Sequence, residues 1–386
     1  MNTQLAEVLE RFSDFLRISR GSRQENIANI AGVGDKSGIN QERHARSSWT
    51  GRADHGFGTS QSEARAMHIL HASDHENRST PRGGYTLIEV LVVVLVIFLL
   101  AALLLPAVQA VREGARNTQC KANLKQLGIG INLYSSVHEC YPPNGFLWGS
   151  KESGNSLSAL LFILPYIEQQ TLYSSINMAI AQGSDSYSYP PALLTVGTTV
   201  VPLFICPSDS KDGMFNSYRF NYGTWGAFAD ESSGDPDGPF GMGKRPSQAS
   251  VTDGLSNTAF MSERIAGSFQ GEGSGPRDVK FAKLQPGRFL EQAYIDYCLS
   301  ATDFQWNLHS GSSWMHTGMY LTEYNHNGPP NDARPSCGGA NFGLHPPRSF
   351  HSQSVNVLFG DGHLDAAMNS IDAAAWKRMG TPSSGD

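Results

Sequence analysis

The sequence is short of the features that usually disclose an enzyme or a nucleic-acid binder. Charged residues make up 17% of 386, and the formal charge of −6 comes with no run of Lys or Arg. That absence removes the electrostatic footprint of a DNA- or RNA-binding surface, so no nucleic-acid partner is expected. The five cysteines (Cys120, Cys140, Cys206, Cys298, Cys337) form no C-x-x-C pair, which excludes a zinc ribbon and a thioredoxin-type site. There is no G-x-S-x-G elbow and no H-E-x-x-H pair. "GPFGMGKR" (238–245) approaches a phosphate-binding loop, but Arg245 stands where a Ser or Thr would hold Mg²⁺, and a Pro- and Asp-rich stretch precedes it instead of a strand. It reads as a surface loop. His316, His326, His345, His351 and His363 with Asp332, Asp361 and Asp365 form a pool of metal-ligand types without tight ligand spacing. No catalytic constellation emerges, and the chain is not expected to be an enzyme.

What the sequence does have is one long oily segment. Val90 to Leu105 is apolar without interruption, and Leu87–Val108 as a helix would be ~33 Å long, enough to cross a bilayer core of ~30 Å. A soluble core helix would show a polar face, and a cleavable secretory signal would have a shorter apolar core and a small-x-small cut site; this segment has neither. It reads as a membrane anchor. One acid, Glu89, sits near its start. A carboxylate inside a span costs roughly 2.5–3.5 kcal/mol, less near an interface. Glu89 therefore either snorkels at the boundary or awaits a positive partner. Before the span, residues 1–84 carry eleven Lys/Arg and ten Asp/Glu with little apolar periodicity.

Arg82-Gly83-Gly84, then Tyr85-Thr86-Leu87-Ile88-Glu89 and the apolar run, resembles the prepilin cleavage and methylation signal of type IV pilins and type II secretion pseudopilins. The resemblance implies that a prepilin peptidase cuts after Gly84 and methylates the new amine of Tyr85. Most family members have Phe where Tyr85 stands. Glu89 becomes the fifth mature residue, where the family keeps an acid thought to attract a neighbouring subunit's N-terminal amine. Pro106 becomes the twenty-second, where pilins commonly bend the helix. A prepilin leader is short, and Met67 opens an eighteen-residue leader of ordinary length, so residues 1–84 read as leader plus an extension, with translation starting at Met67 or residues 1–66 discarded. His68, His71 and His75 in that leader are read as incidental. Arg78 and Arg82 precede the span while Arg112, Arg116, Lys121 and Lys125 follow it, so orientation rests on the resemblance: leader in the cytoplasm, bulk outside, single pass in the cytoplasmic (inner) membrane. If so, up to two disulfides with one thiol left over are expected, their pairing open.

Beyond the span, Leu124, Leu127, Ile131 and Tyr134 recur at helical spacing, and "YPPNG" (141–145) is a stop. This predicts an anchor-plus-stalk helix over 85–135, of about 50 residues, and a globular domain over 136–386. Within it, 156–177 reads as a helix interrupted at Pro165, 198–209 and 258–265 as strands, 354–368 as a hairpin about Gly-Asp-Gly, and 370–380 as a terminal helix. The fold class expected is α+β: a long N-terminal helix packed on a small, loop-rich antiparallel sheet, as in pilins. "CKANLKQLG", "LPYIEQQ", "VPLFICPSD", "DGLSNTAFMSER" and "YNHNGPPN" look like the successive blocks of a large bacterial pseudopilin-like family of unsettled function whose members end in an H-x9-D-G box, here His351, Asp361 and Gly362.

These residues predict a pilin-like subunit that assembles with other pilin or pseudopilin subunits into a type IV pilus-like or type II secretion-like filament. Its partners would be the prepilin peptidase, those subunits and membrane lipid. The alternative is a permanently anchored extracytoplasmic ligand- or metal-binding protein. In the box, Asp361 is expected to accept backbone N–H bonds, Gly362 to supply positive φ, and His351 to cap a neighbouring loop. Major pseudopilins imply a sharper reading, Ca²⁺ at Asp361. Calcium wants six to eight oxygens and few carboxylates are near in sequence, so no cofactor is the first expectation.

Overall fold

The computed structural model describes residues 84–383 apart from 146–156, 182–188, 210–212, 214, 225–235, 242, 274, 283–290 and 340–342. The readings made for Met67, His68, His71, His75 and the rest of 1–83 lie outside the described residues.

Helix α1 (Leu87–His138) is 52 residues long, ~78 Å at about 1.5 Å per residue, and runs unbroken through Pro106. It starts with a reciprocal capping box: Thr86 N donates to Glu89 Oε2 (2.8 Å) and Glu89 N to Thr86 Oγ1 (3.3 Å). It ends where Glu139 turns left-handed (φ 59°) and its N–H returns to Ser135 O. Every residue from Leu87 to Arg112 is exposed, whereas Cys120, Leu124, Leu127, Ile131 and Tyr134 are buried at alternating spacings of four and three. The helix is long and apolar enough to cross a membrane. Its second half is the amphipathic stalk that the spacing predicted. Two glycines let neighbours approach: a Cβ at Gly128 would lie 2.8 Å from Leu358 Cδ1, and one at Gly130 2.6 Å from Ile167 Cγ2.

Among the described residues the domain has two sheets. Strands β1 (Tyr218–Asn221), β2 (Ala259–Glu263), β3 (Val279–Ala282), β4 (Phe304–Asn307), β5 (Glu323–Tyr324), β6 (Ser336–Gly338), β7 (Gly343–Leu344), β8 (Ser354–Phe359) and β9 (Leu364–Met368) form a five-stranded sheet in the order β5-β1-β2-β8-β9 and a four-stranded one in the order β4-β3-β6-β7. The sheets are mixed, not purely antiparallel as expected: β1 runs parallel to β5, and β3 to β6. Parallel pairing needs a long crossover, and each pair is separated by a large stretch of chain that builds other strands. The 354–368 hairpin is as predicted, with Gly362 at φ +85°.

β1, β2 and β8 are buried throughout because the large sheet is covered on both faces. On one side, α1 packs with α2 (Ala159–Ile163) and the turn at Leu164–Ile167, joining Leu124, Leu127 and Ile131 to Phe220, Met261 and Leu358. On the other, the terminal helix (Ala373–Met379) inserts Trp376 among Ala259, Tyr324, Val355 and Val357. The small sheet packs on a helix at Glu291–Ser300, to which Cys298–Cys337 ties it.

Two expected elements differ. The helix read over 156–177 is broken: a 3₁₀ turn begins at Leu164 with Pro165 in its second position, Glu168 turns left-handed (φ 63°), and a short helix resumes at Gln170–Ser174. The strand read over 198–209 is instead two 3₁₀ turns, Pro202–Phe204 and Pro207–Asp209. In the first, a proline fixes φ at the opening position and Phe204 N returns to Val201 O at 2.9 Å; the second closes likewise from Asp209 N to Cys206 O.

Candidate functional site

The domain grips α1 along one side, and four parts of the chain meet there. From the helix come Glu113, Asn117 and Cys120; from the link between the two 3₁₀ turns, Cys206, and from the second turn, Ser208; from β2, Glu263; from the segment leading into and through β8, His351 and Asn356. Cys120 and Cys206 are joined as a disulfide, with Cα atoms 5.0 Å apart. The His351 ring lies between two carboxylates. Its Nδ1 is 2.8 Å from Glu113 Oε1 and its Nε2 3.3 Å from Glu263 Oε1, with Cys206 Sγ 3.5 Å from Nε2. The His351 and Glu263 side chains are each 2% exposed, that of Glu113 33%.

Further donors complete the carboxylates. Asn356 N and Nδ2 donate to Glu263 (2.9 and 3.0 Å), and Nδ2 also to Asn117 Oδ1 on the helix (2.9 Å). Ser208 Oγ donates to Glu113 Oε1 at 2.9 Å, and Arg116 pairs with Oε2 at 3.0 Å. Burial by itself would lower the His351 pKa, but Glu263 and then Glu113 outweigh it and hold it above the ordinary histidine value. Burial would raise Glu113, and its bonds to His351, Ser208 and Arg116 bring it below the ordinary range. The arrangement suits an imidazolium with both N–H groups donating to carboxylates.

The two halves of the H-x9-D-G box therefore do different things. His351 clasps Glu113 instead of capping a loop. At the far end of β8, Asp361 accepts from His363 N (2.9 Å) and Nδ1 (2.6 Å), as a turn aspartate should, while the Gly362 carbonyl accepts from Lys125 Nζ on α1. Burial would raise the Asp361 pKa, and the His363 contacts bring it below the usual value.

The rest of the His and Asp pool is dispersed. His326 is buried, with Nδ1 at Trp376 O and its ring stacked on Trp376, and burial pushes its pKa down to about 3. His345 Nδ1 lies 3.2 Å from an Arg264 nitrogen, and Asp332 is held by Arg334. Among the described residues, one His, Cys and carboxylate group converges closely enough to ligate an ion: Cys120, Cys206, Glu263 and His351, whose ligand atoms all lie within 4.8 Å of one another. Of these, sequence reading singled out only His351 as a site residue. Glu263 had a readable signal, since an acid ending the otherwise apolar strand "AFMSE" must find a buried partner. Thr86 had one too, as the first residue of a T-x-x-E box. Glu113 had none.

An exposed apolar helix continuing as a stalk across a mixed sheet defines the pilin-like class of protein. Within it, residues 109–374 match the model of a family described as "Protein of unknown function (DUF1559)", and the chain belongs to that family. The chain is also 34% identical over 61 residues to type II secretion system core protein G of Pseudomonas aeruginosa, a match covering 16% of this chain and 43% of that protein. The chain thus spans less than half the length of the curated relative it matches. No solved structure matches it.

Proposed function

We propose that this chain is a non-enzymatic pilin-like subunit, cleaved by a prepilin peptidase after Gly84, N-methylated at Tyr85, and assembled through its N-terminal helix into a type IV pilus-like or type II secretion-like filament. The observation that carries this reading is the division of α1. Leu87–Arg112 is apolar and uncovered, while the half from Cys120 onward is built into the domain. Such a segment must be covered by lipid before assembly or by like helices after it, because water would solvate its apolar surface at a cost of about 25 cal/mol per Å². Glu89 would then exchange its bond with Thr86 for the amine of Tyr85 on a neighbour. The similarity to a type II secretion protein supports the class, and the leader would lie in the cytoplasm with the domain outside. No metal or cofactor enters this function.

The test is the intact mass and N-terminal sequence of the protein recovered from its native membrane. A chain beginning at methylated Tyr85 supports processing as a prepilin. A chain still carrying Gly84 and residues before it refutes processing, and with it the filament reading. A permanently anchored binding protein would then be the better account.

A further inference from the structure

We propose that, before Cys120 and Cys206 are oxidised, they form with Glu263 and His351 a tetrahedral zinc site that holds the stalk helix to the domain. This goes beyond the filament reading and does not depend on it. The geometry carries it. With Zn–N and Zn–O of about 2.0–2.1 Å and Zn–S of about 2.3 Å, a tetrahedron has N···O edges of ~3.3–3.4 Å and S···N edges of ~3.5–3.6 Å. Here His351 Nε2 is 3.3 Å from Glu263 Oε1 and 3.5 Å from Cys206 Sγ. Two edges of the polyhedron already stand at those lengths. The remaining change is separation of the two sulfurs to ~3.8 Å once they are thiolates.

The surroundings are those of a metal ligand set. Zinc-bound histidines usually donate their other ring N–H to a carboxylate, which fixes the ring and raises its basicity. His351 Nδ1 has that partner in Glu113 at 2.8 Å, and the pairing aims Nε2 at Cys206 and Glu263. Glu263 is in turn oriented by Asn356 through backbone and side-chain donors. All four ligand residues are buried, which excludes competing water ligands. The ligands also join α1 to three other segments, so the metal would make the same crosslink that the disulfide makes later.

The chemistry balances. Binding Zn²⁺ displaces one proton from each thiol and the Nε2 proton of the imidazolium, three in all, leaving a neutral imidazole ligand whose Nδ1–H still donates to Glu113. On exposure to a disulfide-bearing oxidant, the two thiolates give up two electrons and form the Cys120–Cys206 bond. The oxidant's disulfide takes up those electrons and two protons to become two thiols, and Zn²⁺ leaves.

The experiment uses the full chain in detergent, reduced with a phosphine and freed of reductant, and titrated with Zn²⁺ and separately with Co²⁺. Expected are one zinc per reduced wild-type chain, none per oxidised chain, and a Co²⁺ form with thiolate charge-transfer absorption and the visible bands of a tetrahedral centre. Cys120→Ser/Cys206→Ser should lose the metal. Glu113→Ala leaves all four ligands in place and should bind zinc ~10–100-fold more weakly. X-ray absorption on the reduced wild type, which needs no variant to fold, should give two sulfur and two N/O neighbours. Zinc retained by the Cys120→Ser/Cys206→Ser protein, or a reduced wild type that binds none, overturns the proposal.

Discussion

Replacing His351 by alanine should destabilise the oxidised protein more than replacing Glu113, although both changes remove the same 2.8 Å contact. His351 serves two carboxylates and Glu113 serves one imidazole. Glu113 is one-third exposed, so its loss removes the His351 contact, the Arg116 pair and the Ser208 bond in a partly solvated setting and leaves His351 its second carboxylate, at a cost of ~1–2 kcal/mol. Losing His351 leaves Glu263, 2% exposed, with the neutral donors of Asn356 and no positive partner. Breaking a buried pair from one side in this way costs ~3–5 kcal/mol. Equilibrium urea unfolding of the full chain in detergent, with the disulfides intact, measures both.

The same pair fixes the sign of the pH dependence. The His351 pKa in the folded protein is raised, because its two carboxylates outweigh burial. A group with a raised folded pKa contributes stability that is fully present below its unfolded value, near ~6.5, and is lost as pH rises through the folded value. The stability gap between wild type and His351→Ala should therefore be widest just below about pH 6.5 and shrink as the pH rises above it through the folded value. Equal costs for the two variants, or a gap that does not change across that range, would refute the imidazolium clasp.

Other outcomes follow from separate parts of the structure. Trp376→Ala should cost ~3–5 kcal/mol in the same unfolding assay, since the ring is 2% exposed and its Nε1 donates to Gly328 O. Cys298→Ser/Cys337→Ser releases a loop closed over 39 residues and should lower stability by up to ~4 kcal/mol, with hydrogen exchange rising first in the small sheet. At Glu89, glutamine keeps the capping box but removes the charge, whereas leucine removes both. If pairing with a neighbour's amine drives assembly, both variants should form few filaments by electron microscopy; wild-type yield from Glu89→Gln would make the residue a helix cap and nothing more.

What could be read from the sequence was local. The span, the stalk face at Leu124, Leu127, Ile131 and Tyr134, the hairpin and the terminal helix all declare themselves within a dozen or two residues by period or turn chemistry. The apolar "TTVVPLFIC" misled because β-branched composition was weighed over Pro202, whose missing donor and fixed φ favour a 3₁₀ turn. The parallel pairs β1–β5 and β3–β6 and both disulfides join distant segments, and no local pattern encodes such partners. The site divides the same way. His351 stood out through the family resemblance, as the His of the H-x9-D-G box, but the group it pairs with on the helix is one of several charged residues after the span, and only the fold selects Glu113 from among them.

The spacing of that box makes sense as a length. β8, six residues at about 3.3 Å, is ~20 Å long, and Glu113 to Lys125 on α1, twelve residues at about 1.5 Å, is ~18 Å. The His351 ring meets Glu113 at one end, the Gly362 carbonyl meets Lys125 at the other, and Leu358 lies against Gly128 on the same helix. Between the two polar ends stands the Cys120–Cys206 crosslink. A strand of this length, tied at both ends, sets the helix against the sheet in one position along its axis. All of these attachments fall from Glu113 onward, and Leu87–Arg112 carries none of them. The domain thus fixes the helix by its second half and leaves its apolar end to whatever surrounds it, as the proposed exchange of lipid for other helices would require if the fold it carries is to stay undisturbed.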